Sequence, residues 1–546
     1  MTTITLRSPG AAFAWQFWTR HRSGILSSLA TLAVTAVAYP RLFALGPPAW
    51  FIMVSVIPLL GVYLLILRAF GMADDPANPA RGYPQRMLPL PVPTRTLVFW
   101  PMAIGAVVMA SCWVATACLV YRPSGFPTPV LLPALGLAAG LAWLQAFSWT
   151  PLASMSFRVV ASAVLLVVLA VVPIALEMLH LAPRWGVELL VASYLPAAFL
   201  LAWAGVRSDR RGDLWYVLPE RLRLSKYLVL PAWRRPFRSA AHAQVAYDWR
   251  NHGLFLPAAP AFVLAAFLLF VPVYRIHPSH GLIGSVLMAS VGMTLYTAAS
   301  SGTVFAAMKP FWAVRSRADA FVMTRPVTSG ALVTAKFRAA WRSTLLTWAI
   351  LVVGVGLWIV VAGTGQDAVE LWNNSLGRLP AGRAALAVAL AAIVLPGVTW
   401  TLATQMLAVG LTGRNWVILV CSTGFFWLLG AGVAGELWCE VHPENRPILL
   451  ATVPWLVVGA AGLKAIVALW AFPTALRRGL IGWSTLLVAG TIWLGLFVCV
   501  SALIFLLWPL LGAPVTMPVA LLGVATFLPL GQFALAPLAL DWNRHR

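Results

Sequence analysis

Glu436, Cys439, Glu440, His442 and Glu444 crowd side chains able to ligate a metal or move a proton into one short segment. Their spacing fits no zinc pattern, so an acidic, solvated loop is the plainer reading. Glu177 is the only carboxylate deep in an apolar run, and His180 follows it at helical spacing. Ionisable groups inside apolar spans are functional candidates, but this pair falls near the outer end of its run, where a hydrated interface pair is expected. Lys464 sits in another apolar run, near enough to its inner end for the stem to carry the ammonium to water. Ser343, Thr344 and Thr347 have the spacing of ordinary helix-packing residues. Cys112, Cys118, Cys421 and Cys499 lie in apolar runs and only Cys439 lies outside them, so no disulfide framework is implied. No stretch has the phosphate-cradling order of Gly, four residues, then Gly-Lys-Ser/Thr. ATP hydrolysis by this chain itself is therefore not expected, and no catalytic residue, metal ion or cofactor is assigned.

What remains is a pattern that occurs twice. The first copy is Pro91-Val92-Pro93-Thr94-Arg95-Thr96-Leu97-Val98, and the second is Pro326-Val327-Thr328-Ser329-Gly330-Ala331-Leu332-Val333. The copies share Pro-Val, a hydroxyl residue at the fourth position, and Leu-Val at the end. Pro91 or Pro326 stops any helix arriving from the preceding loop, and Thr94 or Ser329 is expected to cap the helix that follows. The product is a short, stiff turn joined directly to the third apolar span of its half. A second pair of marks repeats with it. Trp15 and Trp18 stand beside Arg20 and His21, and Tyr247 and Trp249 stand beside Arg250 and His252. The separation from Trp15 to Pro91 matches that from Tyr247 to Pro326 to within three residues. Aromatic rings next to long cations hold a short amphipathic helix in a headgroup plane.

The elements that must position these turns follow from composition. The chain is 61% hydrophobic and 10% charged, with 27 Trp, which settle at membrane interfaces. Apolar runs of membrane-crossing length recur throughout. They read as spans over 24–45, 49–70, 96–120, 130–149, 157–181 and 186–206, then 253–274, 282–307, 343–363, 384–412, 416–437 and 448–472, with two more at 481–508 and 515–540. The run 24–45 lacks a small-residue cleavage site and is followed at once by another span, so it is not read as a signal peptide. The net charge of +23 is a topology signal rather than a nucleic-acid footprint. Most Lys and Arg fall in segments that alternation places on one side, including 68–95, 207–250, 309–342, Arg414, Arg477, Arg478 and the tail. Membrane lipid is the expected partner of that charge, and nucleic acid is not. The expected fold is an all-α integral membrane protein, a polytopic helical bundle of about 14 transmembrane helices in two pseudo-repeated halves.

The doubled pattern resembles the coupling loops of ABC-2-type ABC transporter permeases. In that family an interface helix precedes the first span, and a loop between spans two and three reads Leu/Arg-Pro-Val-Ser/Thr-x-x-x-Leu-Val-x-x-Lys. The run from Arg325 through Pro326 and Leu332-Val333 to Lys336, preceded by Asp319 and Phe321, carries the likeness in the second half. The first half carries it from Leu90 to Val98, with Pro101 where the lysine would stand. The likeness runs through both halves to about Phe472. It implies a permease subunit driven by a separate cytosolic ABC ATPase, itself a dimer, and export of an unknown, hydrophobic or lipidic substrate. It implies ATPase contacts at Arg86, Pro91 and Arg95 in the first half and at Asp319, Arg325, Pro326 and Lys336 in the second. Trp15, Trp18, Arg20, Tyr247, Trp249 and Arg250 would form the interface helices.

The domain reading is then a first permease half over 1–206, a cytoplasmic linker and interface helix over 207–252, a second half over 253–472, and two additional spans over 473–546. The location is the bacterial plasma membrane, with both termini cytoplasmic. On this reading Lys336→Glu weakens ATPase association without lowering the inserted amount. Two rivals stand beside it. An integral-membrane enzyme acting on lipid-linked substrates would use the 436–444 cluster, and an ion-coupled secondary transporter would need charges such as Glu177 within the membrane.

Overall fold

The computed structural model describes residues 8–43, 87–123, 128–150, 181–211, 239–269, 282–306, 327–414, 446–511 and 516–544, with Tyr83 and a few isolated positions. All regular structure among them is helical. This follows from composition, because an apolar segment in hydrocarbon must satisfy its backbone within itself. The chain divides into two compact units; of the described helices, α1 to α4 belong to the first and α5 to α14 to the second.

In the first unit α1 runs Pro9–Phe43, α2 Thr94–Thr116, α3 Leu131–Trp149 and α4 Arg184–Arg211. Helix α2 continues to Tyr121 through a widened turn, in which Arg122 N–H donates to Ala117 O at 2.9 Å. Helix α3 packs against both α2 and α4. Their common core is Leu97, Val98, Met102, Ala142, Ala146, Trp149, Ala198, Ala202 and Val206.

In the second unit α5 is Ala240–His252, α6 Phe255–Leu269, α7 Leu282–Ala306 and α8 Ser329–Ala362. A short amphipathic helix, α9 Gly365–Asn374, buries no residue and carries Asp367 and Glu370. Then come α10 Ala381–Leu411, α11 Arg446–Arg477, α12 Trp483–Leu511, α13 Met517–Phe527 and α14 Gln532–Arg544. Helix α8 packs on α5, α6, α10 and α14, while α7 lies along α10. The α7–α10 approach depends on Gly302, where a methyl group would overlap the backbone of Ala403 and Leu407. Small residues let helix backbones approach closely in this way.

Among the described residues, eight helical segments are long and apolar enough to cross a membrane: Thr94–Tyr121, Leu131–Trp149, Arg184–Arg211, Ser329–Ala362, Ala381–Leu411, Ala451–Arg477, Trp483–Trp508 and Met517–Arg544. The expected spans 24–45, 253–274 and 282–307 meet shorter apolar stretches, Ser28–Val37, Phe255–Leu268 and Val286–Ala299. The spans expected at 49–70, at 416–437 and over most of 157–181 fall outside the described residues.

Two local expectations need correction. The aromatic segment at Trp15–Arg20 is not a separate short helix, because α1 passes through it without a break and is capped at its start by Ser8 Oγ, which accepts from Ala11 N–H at 3.2 Å. Only the second copy is a separate helix. There Ser239 caps α5, accepting from His242 N–H at 3.2 Å, and the turn at Gly253 and Leu254 precedes α6.

The last span is also not one helix. It breaks between Phe527 and Gln532, where Pro529 lacks the N–H a continuing helix needs. The freed carbonyls find side-chain donors. Trp493 Nε1 donates to Ala525 O at 3.3 Å, Gln405 Nε2 to Phe527 O, and Lys464 Nζ to Thr526 O and, at 2.7 Å, to Leu528 O. Lys464 therefore closes a broken helix instead of snorkelling to water. Non-helical backbone survives at membrane depth only when such partners are supplied.

Candidate functional site

The two proline-headed turns enter their helices with nearly the same backbone. Pro93 has φ −55° and ψ 139°, and Thr328, its aligned partner, has φ −64° and ψ 148°. Each is the residue before the helix proper, so the capping position lies one residue earlier than the hydroxyls Thr94 and Ser329. Thr328 fills it with a hydroxyl, and its Oγ1 accepts from Ala331 N–H at 3.2 Å. Pro93 has no side chain able to do this, and α2 begins without a side-chain cap. The expectation that Thr94 and Ser329 cap their helices is thus displaced by one position. Three residues after Thr94 and Ser329, the shared Leu-Val pair enters the core in both copies. Leu97, Val98 and Leu332 are fully buried and Val333 nearly so.

Thr94 and Ser329 have a different bond in common. In the first unit the Arg210 guanidinium gathers the turn, donating from Nε to Leu88 O at 2.8 Å, from Nη1 to Val92 O at 2.7 Å and to Thr94 Oγ1 at 3.2 Å, and from Nη2 to Leu90 O at 2.5 Å. In the second unit Arg544 Nη1 donates to Val327 O at 2.8 Å and to Ser329 Oγ at 3.3 Å. The acceptors Val92 and Val327, and Thr94 and Ser329, occupy the same positions of the doubled pattern. Neither arginine stood out in the sequence, because each lies in a basic run that reads as a topology signal.

Beneath the second turn lies a buried polar network. Lys336 Nζ donates to Phe305 O at 2.7 Å and pairs with Asp248 Oδ1 at 3.4 Å, with both side chains almost wholly buried. Gln244 Nε2 donates to Asp248 Oδ2 at 3.2 Å. These bonds fasten α5 and the end of α7 to the second turn of α8. Ser343 Oγ adds a bond to Gly253 O. His252, at the end of α5, is buried beside them. Desolvation, then Lys336, push it down to about 4 against an opposing pull from Asp248, so its imidazole is neutral at neutral pH. Lys336 is therefore a strut within the unit, and its ammonium does not face solvent.

The first unit has Pro101 at the position of Lys336, and the departure has a local solution. A proline there removes the N–H that would bond Leu97 O four residues back. Tyr83 Oη donates to that carbonyl at 2.8 Å, its ring packed edge-on against Trp149 at 5.4 Å. Burial raises the phenol above its ordinary range, opposed by Arg210, so the hydroxyl keeps its proton.

Of the remaining sequence-selected residues, Pro91 and Arg95 are exposed on the first turn. Trp15, Trp18 and Tyr247 are exposed, while Trp249 packs against the core that contains Leu332 and Phe337. Arg20 and Arg250 lie in helices. Arg86, Asp319, Arg325 and Pro326 fall outside the described residues, as do His180 and the whole 436–444 cluster. Glu177 is helical and exposed. No group of three or more metal-ligating side chains occurs among the described residues. Comparison of the chain with protein-family models, with curated proteins and with solved structures returns no match.

Proposed function

We propose that this chain is the membrane-spanning permease of an ABC-type transporter, fused from two halves and powered by a separately encoded cytosolic ATPase dimer. The observation that carries the reading is the pair of turns. Two sequence-distant segments share a backbone entry, a buried Leu-Val and an arginine bond at the same register, and each heads an apolar helix long enough to cross a membrane. A stiff surface element in line with a spanning helix is what a soluble motor needs in order to tilt that helix. The chain has no nucleotide-binding loop of its own, so the motor must come from outside. Export of a hydrophobic or lipidic substrate across the bacterial plasma membrane suits the apolar spans.

In this reading Lys336 acts from within. It transmits load from the turn to α5 and α7, and the direct ATPase contacts fall to exposed residues such as Pro91 and Arg95. The test is cross-linking between the full chain and a cytosolic ABC ATPase co-expressed with it. Cysteine at Leu90, an exposed turn position, is expected to cross-link to the ATPase, and cysteine at Asp367 on α9 is not. Equal cross-linking from both positions, or none from Leu90, overturns the proposal.

One observation favours an ion-coupled carrier as the second reading. The last span is broken and Lys464 is seated among its freed carbonyls, and discontinuous helices hold coupling ions in secondary transporters. Transport that persists without the ATPase but fails in Lys464→Met would select that reading.

A further inference from the structure

We infer that Arg210 and Arg544 are equivalent positioning residues, and that α14, the last helix of the chain, plays in the second unit the part α4 plays in the first. The inference rests on the permease reading for the partner it serves, but not for its geometry.

The turns need outside donors. Pro89, Pro91 and Pro93 remove N–H groups from the first turn while leaving every carbonyl in place. A guanidinium offers five N–H donors in a fixed fork and accepts nothing, so it is the side chain best matched to a run of carbonyls. Arg210 comes from the last turn of α4, and Arg544 from the last turn of α14. Both reach their acceptors from far along the chain, so local sequence does not explain the match. In both cases a single Nη1 bridges the valine carbonyl and the hydroxyl two residues later.

The last turn of α14 is also tied to its neighbours at the same end of the unit. Arg478 Nη1 donates to Asp541 Oδ2 at 3.2 Å, and Asn543 Nδ2 donates to Leu411 O at 3.3 Å. Arg544 thereby connects the second turn to the ends of three helices. A load on either turn is carried by two spanning helices, the one it heads and the one whose arginine holds it. The closing helix of a half is then α14 rather than the span at 448–472, and the repeat extends to the end of the chain.

The experiment is peptide-level hydrogen–deuterium exchange on the full chain in detergent, paired with capture of the co-expressed cytosolic ABC ATPase. In Arg210→Gln, exchange over residues 88–98 is expected to quicken about tenfold, while residues 327–334 are unchanged. Arg544→Gln is expected to give the reverse. Arg210→Lys and Arg544→Lys keep the charge but lose the fork, and are expected to give smaller changes in the same peptides. They serve in place of either glutamine variant that fails to insert. Unchanged exchange at the matching turn, or equal change at both turns, overturns the equivalence. Faster exchange with a severalfold loss of ATPase capture supports both the clamp and the docking role. Faster exchange with undiminished capture leaves the clamp standing and removes the turn as a docking site.

Discussion

The first turn is the more open, whereas the second has a neighbouring loop packed against it. Turn one has three prolines, no helix cap and four bonds from Arg210, and Arg95 beside it faces solvent. Turn two has a threonine cap and two bonds from Arg544, and at the position of Arg95 it has Gly330, against which the Leu480 carbonyl is packed. A methyl group there would overlap that carbonyl, so only glycine admits the loop. Below the turns the contrast continues. Unit two buries a Lys–Asp pair where unit one has a proline and a tyrosine hydroxyl. The two turns thus share a backbone geometry, a buried Leu-Val and an arginine bond, while the cap, the prolines and the groups beneath differ. The lesson is that the same geometry is reached with different local chemistry around it.

The largest effect is expected at the buried pair. Lys336→Ala leaves Asp248 charged and without its cation, at a cost of about 3–5 kcal/mol. Lys336→Glu sets two carboxylates together and is expected to lower the inserted amount, in contrast to the outcome expected from the sequence. Thermal unfolding of purified protein in detergent reads both, and an unchanged midpoint for Lys336→Ala would remove the strut from the comparison. Replacing Lys336 and Asp248 together by Met and Leu should recover much of the loss.

A smaller effect tests the first unit. Tyr83→Phe leaves the Leu97 carbonyl without a donor, at about 1–3 kcal/mol. Adding Pro101→Ala restores the backbone N–H and is expected to rescue that loss. Failure of the rescue would show that the cost of losing the hydroxyl does not lie in the Leu97 carbonyl.

The smallest effect lies at the caps. Thr328→Ala should cost about 1 kcal/mol. Pro93→Thr gives turn one the same hydroxyl but frees a restrained backbone, worth about 0.4–1 kcal/mol in the other direction, so little net change is expected. A large loss from Pro93→Thr would mean that the first turn depends on proline stiffness in a way the second does not.

Much of the architecture was legible in the sequence because hydrocarbon imposes it. The runs that became α2, α3, α4, α8, α10, α11 and α12 stood out by length and apolarity alone, and the doubled Pro-Val…Leu-Val marked both turns. The sites were less legible. Lys336 looked like a surface contact, because a cation in a short sequence motif carries no sign of what covers it. Asp248, far away in sequence, covers it together with the end of α7. Arg210 and Arg544 lay hidden among cations whose common purpose is orientation. The break before α14 was masked by the even apolarity of its span, although Pro529 stood in plain view.

Composition and periodicity determined by themselves that the described residues are helical, that apolar runs of membrane length recur, and that two turns share a pattern. These are one-dimensional properties, since transfer free energy and backbone self-satisfaction act residue by residue along a helix. Tertiary structure alone decided which cation is a strut, which arginine holds which turn, and which hydroxyl answers a proline's missing N–H. Each of those depends on groups from 14 to 217 residues apart meeting within about 3 Å, the range over which a hydrogen bond exists at all.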